Sequence, residues 1–197
     1  MNTLKHQVGM HRSRGFTLME VIGVLAVIAI IAAVATPQIF QAIQDAKITA
    51  LVQQTNDLKI AVARYYKDTG TWPRHIPSNN KNGYRQLMTN KSTNGKKIPG
   101  WDGPYLEVEL TNPITQGSYM DLLVTADKKF ACDLDGAGGS DGTFVTLRVD
   151  GVSDDIAKEV SHMLDKDGDT NKWKSAGRVK RYNGNHSSIL VMCLARV

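Results

Sequence analysis

From Phe16 to Ala35 the chain carries a single charge, Glu20, in an otherwise almost unbroken apolar run. Everything after Gln38 is polar and soluble-looking. About twenty apolar residues in a helix span roughly 30 Å, the thickness of a bilayer's hydrocarbon core, so the run predicts a membrane-crossing helix. Pro37 follows the run and removes a backbone donor, which predicts a kink or a melted turn. Beyond it the helical period resumes. Ile48, Leu51, Thr55, Leu58, Val62 and Tyr65 recur at alternating spacings of 3 and 4, with Gln53, Asn56, Asp57, Lys59 and Arg64 off that stripe. This is the pattern of a helix laid on a core. Asp68-Thr69-Gly70 ends it and Pro73 blocks continuation.

The stretch Pro77 to Gly100 is rich in Asn, Lys, Gly and Ser and reads as a surface connection with one turn of helix at Tyr84–Met88. After Tyr105 the period becomes that of strands. Tyr119–Thr125, Lys129–Asp133, Thr143–Val149, Arg178–Asn183 and Ser188–Leu194 are predicted strands. A short helix starts at the cap Ser153 and runs through Ile156, Val160 and Leu164. The expected fold is α+β: a long N-terminal helix, half transmembrane and half amphipathic, packed on a C-terminal antiparallel sheet. No internal repeat and no second globular domain are visible.

Composition, with 42% hydrophobic and 22% charged residues, is ordinary for 197 residues and hides the asymmetry between the apolar run and the rest. Lys5, Arg12 and Arg14 precede the run with no acid among them. By the positive-inside rule this end stays cytoplasmic and the remaining chain crosses the membrane. Those three cations supply most of the net charge of +5. The mildly basic remainder implies no particular partner. Cys132 and Cys193 both lie in the polar part. If that part is periplasmic or extracellular, a disulfide closing a loop of about 60 residues, worth about 4 kcal/mol, is the default, against two buried free thiols.

The basic segment and apolar run do not make an ordinary secretory signal. Ala33-Val34-Ala35 has the small-residue pattern of a cleavage site, but Thr36-Pro37 follows and would obstruct it. The informative junction lies before the run, at Ser13-Arg14-Gly15-Phe16-Thr17-Leu18-Met19-Glu20. It resembles the class III signal of type IV prepilins and pseudopilins: a basic leader, Gly, Phe-Thr-Leu-x-Glu, then a hydrophobic helix. The resemblance implies that prepilin peptidase cuts after Gly15 and methylates the amine of Phe16. It further implies that Glu20 is the buried acid pairing with Phe16 of a neighbouring subunit. Pro37 falls about where pilins commonly carry a proline. On this reading residues 1–15 are a leader, 16–36 the transmembrane and assembly helix, and 37–197 a globular pilin-like domain.

The resemblance therefore predicts the structural subunit of a type IV pilus, serving adhesion or motility. The precursor would sit in the bacterial inner membrane with a cytoplasmic N-terminus. Its partners would be copies of itself or other pilins, and the inner-membrane assembly machinery. The pseudopilin of a type II secretion system is the nearest alternative, with a periplasmic fibre as its final location. Tyr65-Tyr66-Lys67-Asp68-Thr69-Gly70-Thr71-Trp72-Pro73 and Trp101-Asp102-Gly103-Pro104-Tyr105-Leu106 resemble segments of major pseudopilins. The length of the C-terminal part and its widely spaced cysteines favour a pilin.

Two further constellations carry candidate chemistry. Asp165, Asp167 and Asp169 alternate after the short helix, as at the start of an EF-hand loop, and can converge on calcium. Thr170 and Ala176 then depart from that pattern, and no cofactor is required by the reading. Asp133, Asp135 and Asp141 form a weaker acidic loop. Lys174, Arg178, Lys180 and Arg181 interleave with Trp173 and Tyr182, a combination able to bind nucleic acid, as in a DNA-binding competence pilin. Strand alternation predicts Arg178, Lys180 and Tyr182 on one face. No nucleophile motif, phosphate loop or metal-spaced histidine cluster appears, so no enzyme is expected.

Overall fold

A computed structural model describes residues 15–74, 83–92, 94–115, 120–127, 130–134, 141–165, 177–183 and 188–197. Its elements are α1 (Leu18–Thr69), α2 (Arg85–Met88), β1 (Met120–Thr125), β2 (Phe144–Asp150), α3 (Asp154–Asp165), β3 (Val179–Asn183) and β4 (Ser188–Arg196). Two compact units emerge, Met1–Ile43 and Gln44–Val197.

The described part of the first unit is helix from Leu18 onward, and its large apolar side chains, from Phe16 through Ile43, are exposed. Pro37 lies inside α1 and does not end it. Without a Pro37 N–H, the Ala33 carbonyl loses its usual helical donor. Immediately beside it, the Thr36 hydroxyl donates to the Ala32 carbonyl at 2.6 Å.

In the second unit the predicted stripe is the face that packs. Ile48, Leu51, Thr55, Leu58, Val62 and Tyr65 are all buried, joined by Ala61. The helix stops at Gly70, whose φ of 65° is the left-handed conformation of a C-terminal glycine, and whose N–H donates to the Tyr66 carbonyl at 2.8 Å. Gly100, at φ 74°, passes so close to the Asp68 carbonyl that a Cβ would collide with it. The loop after α2 thereby lies directly on the helix end.

The sheet is antiparallel throughout, in the order β1-β2-β4-β3. A register shift lies between Val145 and Thr146 where β2 meets β4. Alternation gives the sheet two faces. Leu122, Val145, Leu147, Val149, Leu190, Met192 and Leu194 join the α1 stripe in the main core. A smaller cluster of Ala131, Cys132 and Phe144 packs with Cys193. Ala157 and Val160 of α3 close the main core, with Ile156 and Leu164 partly buried against it.

Predicted and observed boundaries agree within two residues for four strands and both short helices. The fifth expected strand, Lys129–Asp133, is different in its described part. Phe130 and Ala131 donate backward to the Asp127 carbonyl at 2.9 and 2.7 Å, making a turn. Asp133 makes only an isolated bridge to Gly177. Ala131 and Cys132 are fully buried in the small cluster, so their apolar character serves packing rather than a ladder.

Tyr65 shows how the helix end is locked. Its hydroxyl donates to Gln86 Oε1 at 3.1 Å, while Gln86 Nε2 donates to the Arg74 carbonyl at 2.8 Å. Burial raises the Tyr65 pKa above its ordinary 10.0, opposed by the hydroxyls of Thr71 and Thr69. The folded chain holds this proton more tightly than the unfolded one. Its contribution is therefore constant below pH 10 and is lost as pH rises from 10 through the folded value.

Two outcomes are expected for the full chain in detergent, followed by circular dichroism during denaturation. Leu58→Ala, which empties a site that is 0% exposed, lowers stability by about 2–5 kcal/mol, whereas Ile60→Ala, off the stripe at 53% exposed, changes it by less than about 0.5 kcal/mol. Tyr65→Phe makes stability fall less steeply above pH 10 than in the wild type; identical alkaline slopes would refute the assignment.

Candidate processing and assembly site

The first turn of α1 is organised by Thr17. The Glu20 N–H donates to Thr17 Oγ1 at 3.2 Å, and the Glu20 and Val21 amides lie 3.1 and 3.2 Å from the Thr17 carbonyl. Thr17 thus caps the helix, and Glu20 stands three residues later in the first turn. This is the Thr-x-x-Glu spacing of a capping box, a signal present in the sequence but independent of hydrophobic periodicity. An acid in the first turn also opposes the positive end of the helix dipole.

Gly15 and Phe16 lie just before that turn. A Cβ at Gly15 would meet nothing within 4 Å among the described residues, so their packing places no demand for glycine there. Phe16 is 82% exposed. Behind them, the N-terminal half of α1 is long and apolar enough to cross a membrane, and none of its apolar window is buried. The family model of the prokaryotic N-terminal methylation motif matches residues 10–36, which cover this junction and the apolar run.

The chain carries a class III prepilin signal. The long apolar N-terminal helix and the four-stranded antiparallel sheet give the chain the α+β layout of a pilin-like fold. No curated protein and no solved structure matches it.

Elsewhere in the chain, Cys132 and Cys193 are joined in a disulfide with Cα atoms 6.3 Å apart and a sequence separation of 61. The bond ties β4 to the turn at 130–134.

Of the candidate calcium ligands, Asp167 and Asp169 lie outside the described residues. Asp165 accepts from the backbone N–H groups of Arg178 at 2.9 Å and Val179 at 3.2 Å, so its carboxylate clamps the entry to β3. A Cβ at Gly177 would stand 2.7 Å from Asp165 Oδ2, which explains the glycine there. In the second acidic loop Asp135 is outside the described residues, Asp133 is buried, and Asp141 accepts from the Leu134 N–H. Among the described residues no three His, Cys, Asp or Glu side chains gather as a metal site.

The basic run is dispersed rather than presented as one strip. Lys174 lies outside the described residues. Arg178 is exposed, but Lys180 is only 6% exposed. Burial pushes the Lys180 amine below its ordinary pKa, and the carboxylates of Asp133 and Asp141 oppose that shift. Arg181 is held in an ion pair with Asp154 and donates to Ser188 Oγ at 2.7 Å.

The cap predicts that Thr17→Ala loosens the first turn by about 1 kcal/mol. In hydrogen exchange on the detergent-solubilised chain, the Glu20 amide should exchange about fivefold faster, with amides near Ala50 unchanged.

Proposed function

We propose that this pilin-like chain is the structural subunit of a type IV pilus, cut after Gly15 by prepilin peptidase and polymerised through its N-terminal helix. The observation that carries this reading is the first unit: an apolar half-helix with its large side chains exposed, entered through a capped turn that holds one acid. A bilayer covers such a surface before assembly, and the equivalent helices of neighbouring subunits cover it afterwards. Among the described residues nothing crowds Gly15, which fits a glycine kept for a peptidase rather than for packing.

Cleavage frees an α-amino group on Phe16, and Glu20 stands four residues away, one helical turn. In a filament core neither charge is tolerable alone, and each is a suitable partner for the other across subunits. The pairing fixes axial register because it forms only when one helix is offset against the next.

A second reading, the pseudopilin of a type II secretion system, has its own support. The pseudopilin-like segment around Trp101 is integral to the helix end. Trp101 Nε1 donates to the Gln86 carbonyl at 2.9 Å, the Tyr105 hydroxyl donates to Asp68 at 2.9 Å, and Tyr105 packs edge-on against both Tyr65 and Trp101. Both readings use the same N-terminal chemistry. They differ in whether the fibre leaves the cell.

Glu20→Ala is expected to insert and to lose its leader normally, yet to reduce sheared filament by tenfold or more, since an unpaired buried amine costs about 3–5 kcal/mol. Immunoblots of membrane and sheared fractions read both steps. Wild-type filament yield in that variant would sink the pairing.

A further inference from the structure

Three cations far apart in sequence meet beside β4. Lys59 comes from the solvent side of α1, Arg178 from the residue before β3 and Arg196 from the end of β4. With Leu134, Phe144 and Leu194 they surround a hollow of about 190 Å³. A smaller hollow of about 70 Å³ also has Lys59 and Arg178 in its wall. All three cations are exposed, and among the described residues none has a carboxylate partner. Asp165 takes the backbone N–H of Arg178, not its guanidinium. Leu134, at the rim, is 49% exposed. The hollow is thus apolar inside and positive around its mouth.

The complementary chemistry occurs on another part of the same domain. Glu107, Val108 and Glu109 form an exposed acid–apolar–acid knuckle, with Val108 at 73% exposure. The backbone of Tyr105 and Leu106 anchors it, donating to the Leu87 carbonyl at 2.7 and 3.2 Å. Glu109 touches Arg85 at 3.4 Å, but both side chains are more than half exposed, so that pair is weak and easily exchanged. The knuckle is anchored beside α2, and none of its three residues lines the hollow beside β4.

We propose that the hollow bounded by Lys59, Arg178 and Arg196 receives the Glu107-Val108-Glu109 knuckle of a second copy of this chain. Val108 fills the apolar interior and the two glutamates meet the cations at its mouth. The donor and acceptor patches share no residue, so the contact is head-to-tail, the class of interface that an open filament uses. Opposite charges steer the approach and penalise wrong registers. The inference rests on the polymer reading above and adds to it a contact between globular domains. A nucleic-acid backbone would answer the cations but leaves the apolar interior without a role, so the second copy is the better occupant.

The test uses the full chain in its own cells, with sheared filament as the readout. E107K/E109K and R178E/R196E should each lower yield about tenfold, corresponding to about 1.4 kcal/mol, and the combined four-residue variant should restore most of it. Circular dichroism melts check folding; should R178E/R196E fail to fold, Lys59→Glu against Glu107→Lys makes the same exchange at other positions. Wild-type yield from the folded single-patch variants, or no rescue on combining them, overturns the contact while leaving the polymer reading intact. Absence of filaments from the wild type itself overturns both. A gel shift with duplex DNA completes the test: loss of DNA binding in R178E/R196E with unchanged filament yield assigns the hollow to nucleic acid and overturns the proposal.

Discussion

The first half of α1 cannot remain in water. Burying one large aliphatic or aromatic side chain is worth about 1.5–3 kcal/mol, and this segment displays such side chains on every side of the helix. No one-sided sheet could cover a helix that is apolar all round. It needs a bilayer or a bundle of its own kind. The second half has the opposite design, with one buried stripe from Ile48 to Tyr65 and a polar remainder. The switch between these two patterns inside one helix separates a half with exposed apolar side chains from a half that packs in the core.

The folding half in turn organises the rest. The sheet presents Leu122, Leu147, Val149, Leu190 and Met192 to the stripe, while the loop after α2 seats Trp101 and Tyr105 on the helix end through Gln86 and Asp68. Away from that core, the disulfide and the small cluster around Ala131 and Phe144 hold β4 to the chain that crosses behind it. The C-terminal strand, central in the sheet, is thereby secured on both faces.

What was legible in the sequence was whatever repeats locally. Helical spacing gave every buried position of the stripe except Ala61, whose small side chain carries little signal, and alternation gave four of the strands. What was not legible depends on tertiary placement. The segment around Ala131 has strand-like composition but turns back on Asp127. Lys180 reads as a surface cation, yet it enters a buried setting with Asp133 and Asp141 nearby. That the Asp165 carboxylate receives the backbone amides at the entry to β3 has no local signature in the sequence either. Thr17 was available as a Thr-x-x-Glu cap, whereas the meeting of Lys59, Arg178 and Arg196 has no sequence signature, because three separate elements bring those residues together.

The decisive event would occur at Gly15 and Phe16, where removal of a basic leader would change an anchored helix into a joint between subunits. Intact-mass and N-terminal peptide mass spectrometry of fibres sheared from cells addresses that change most directly. The expected result is a chain that begins at Phe16 with a methylated amine and contains the Cys132–Cys193 bond. A fibre-borne chain that still carries residues 1–15, or one that begins within the polar region after Gln38, would contradict it.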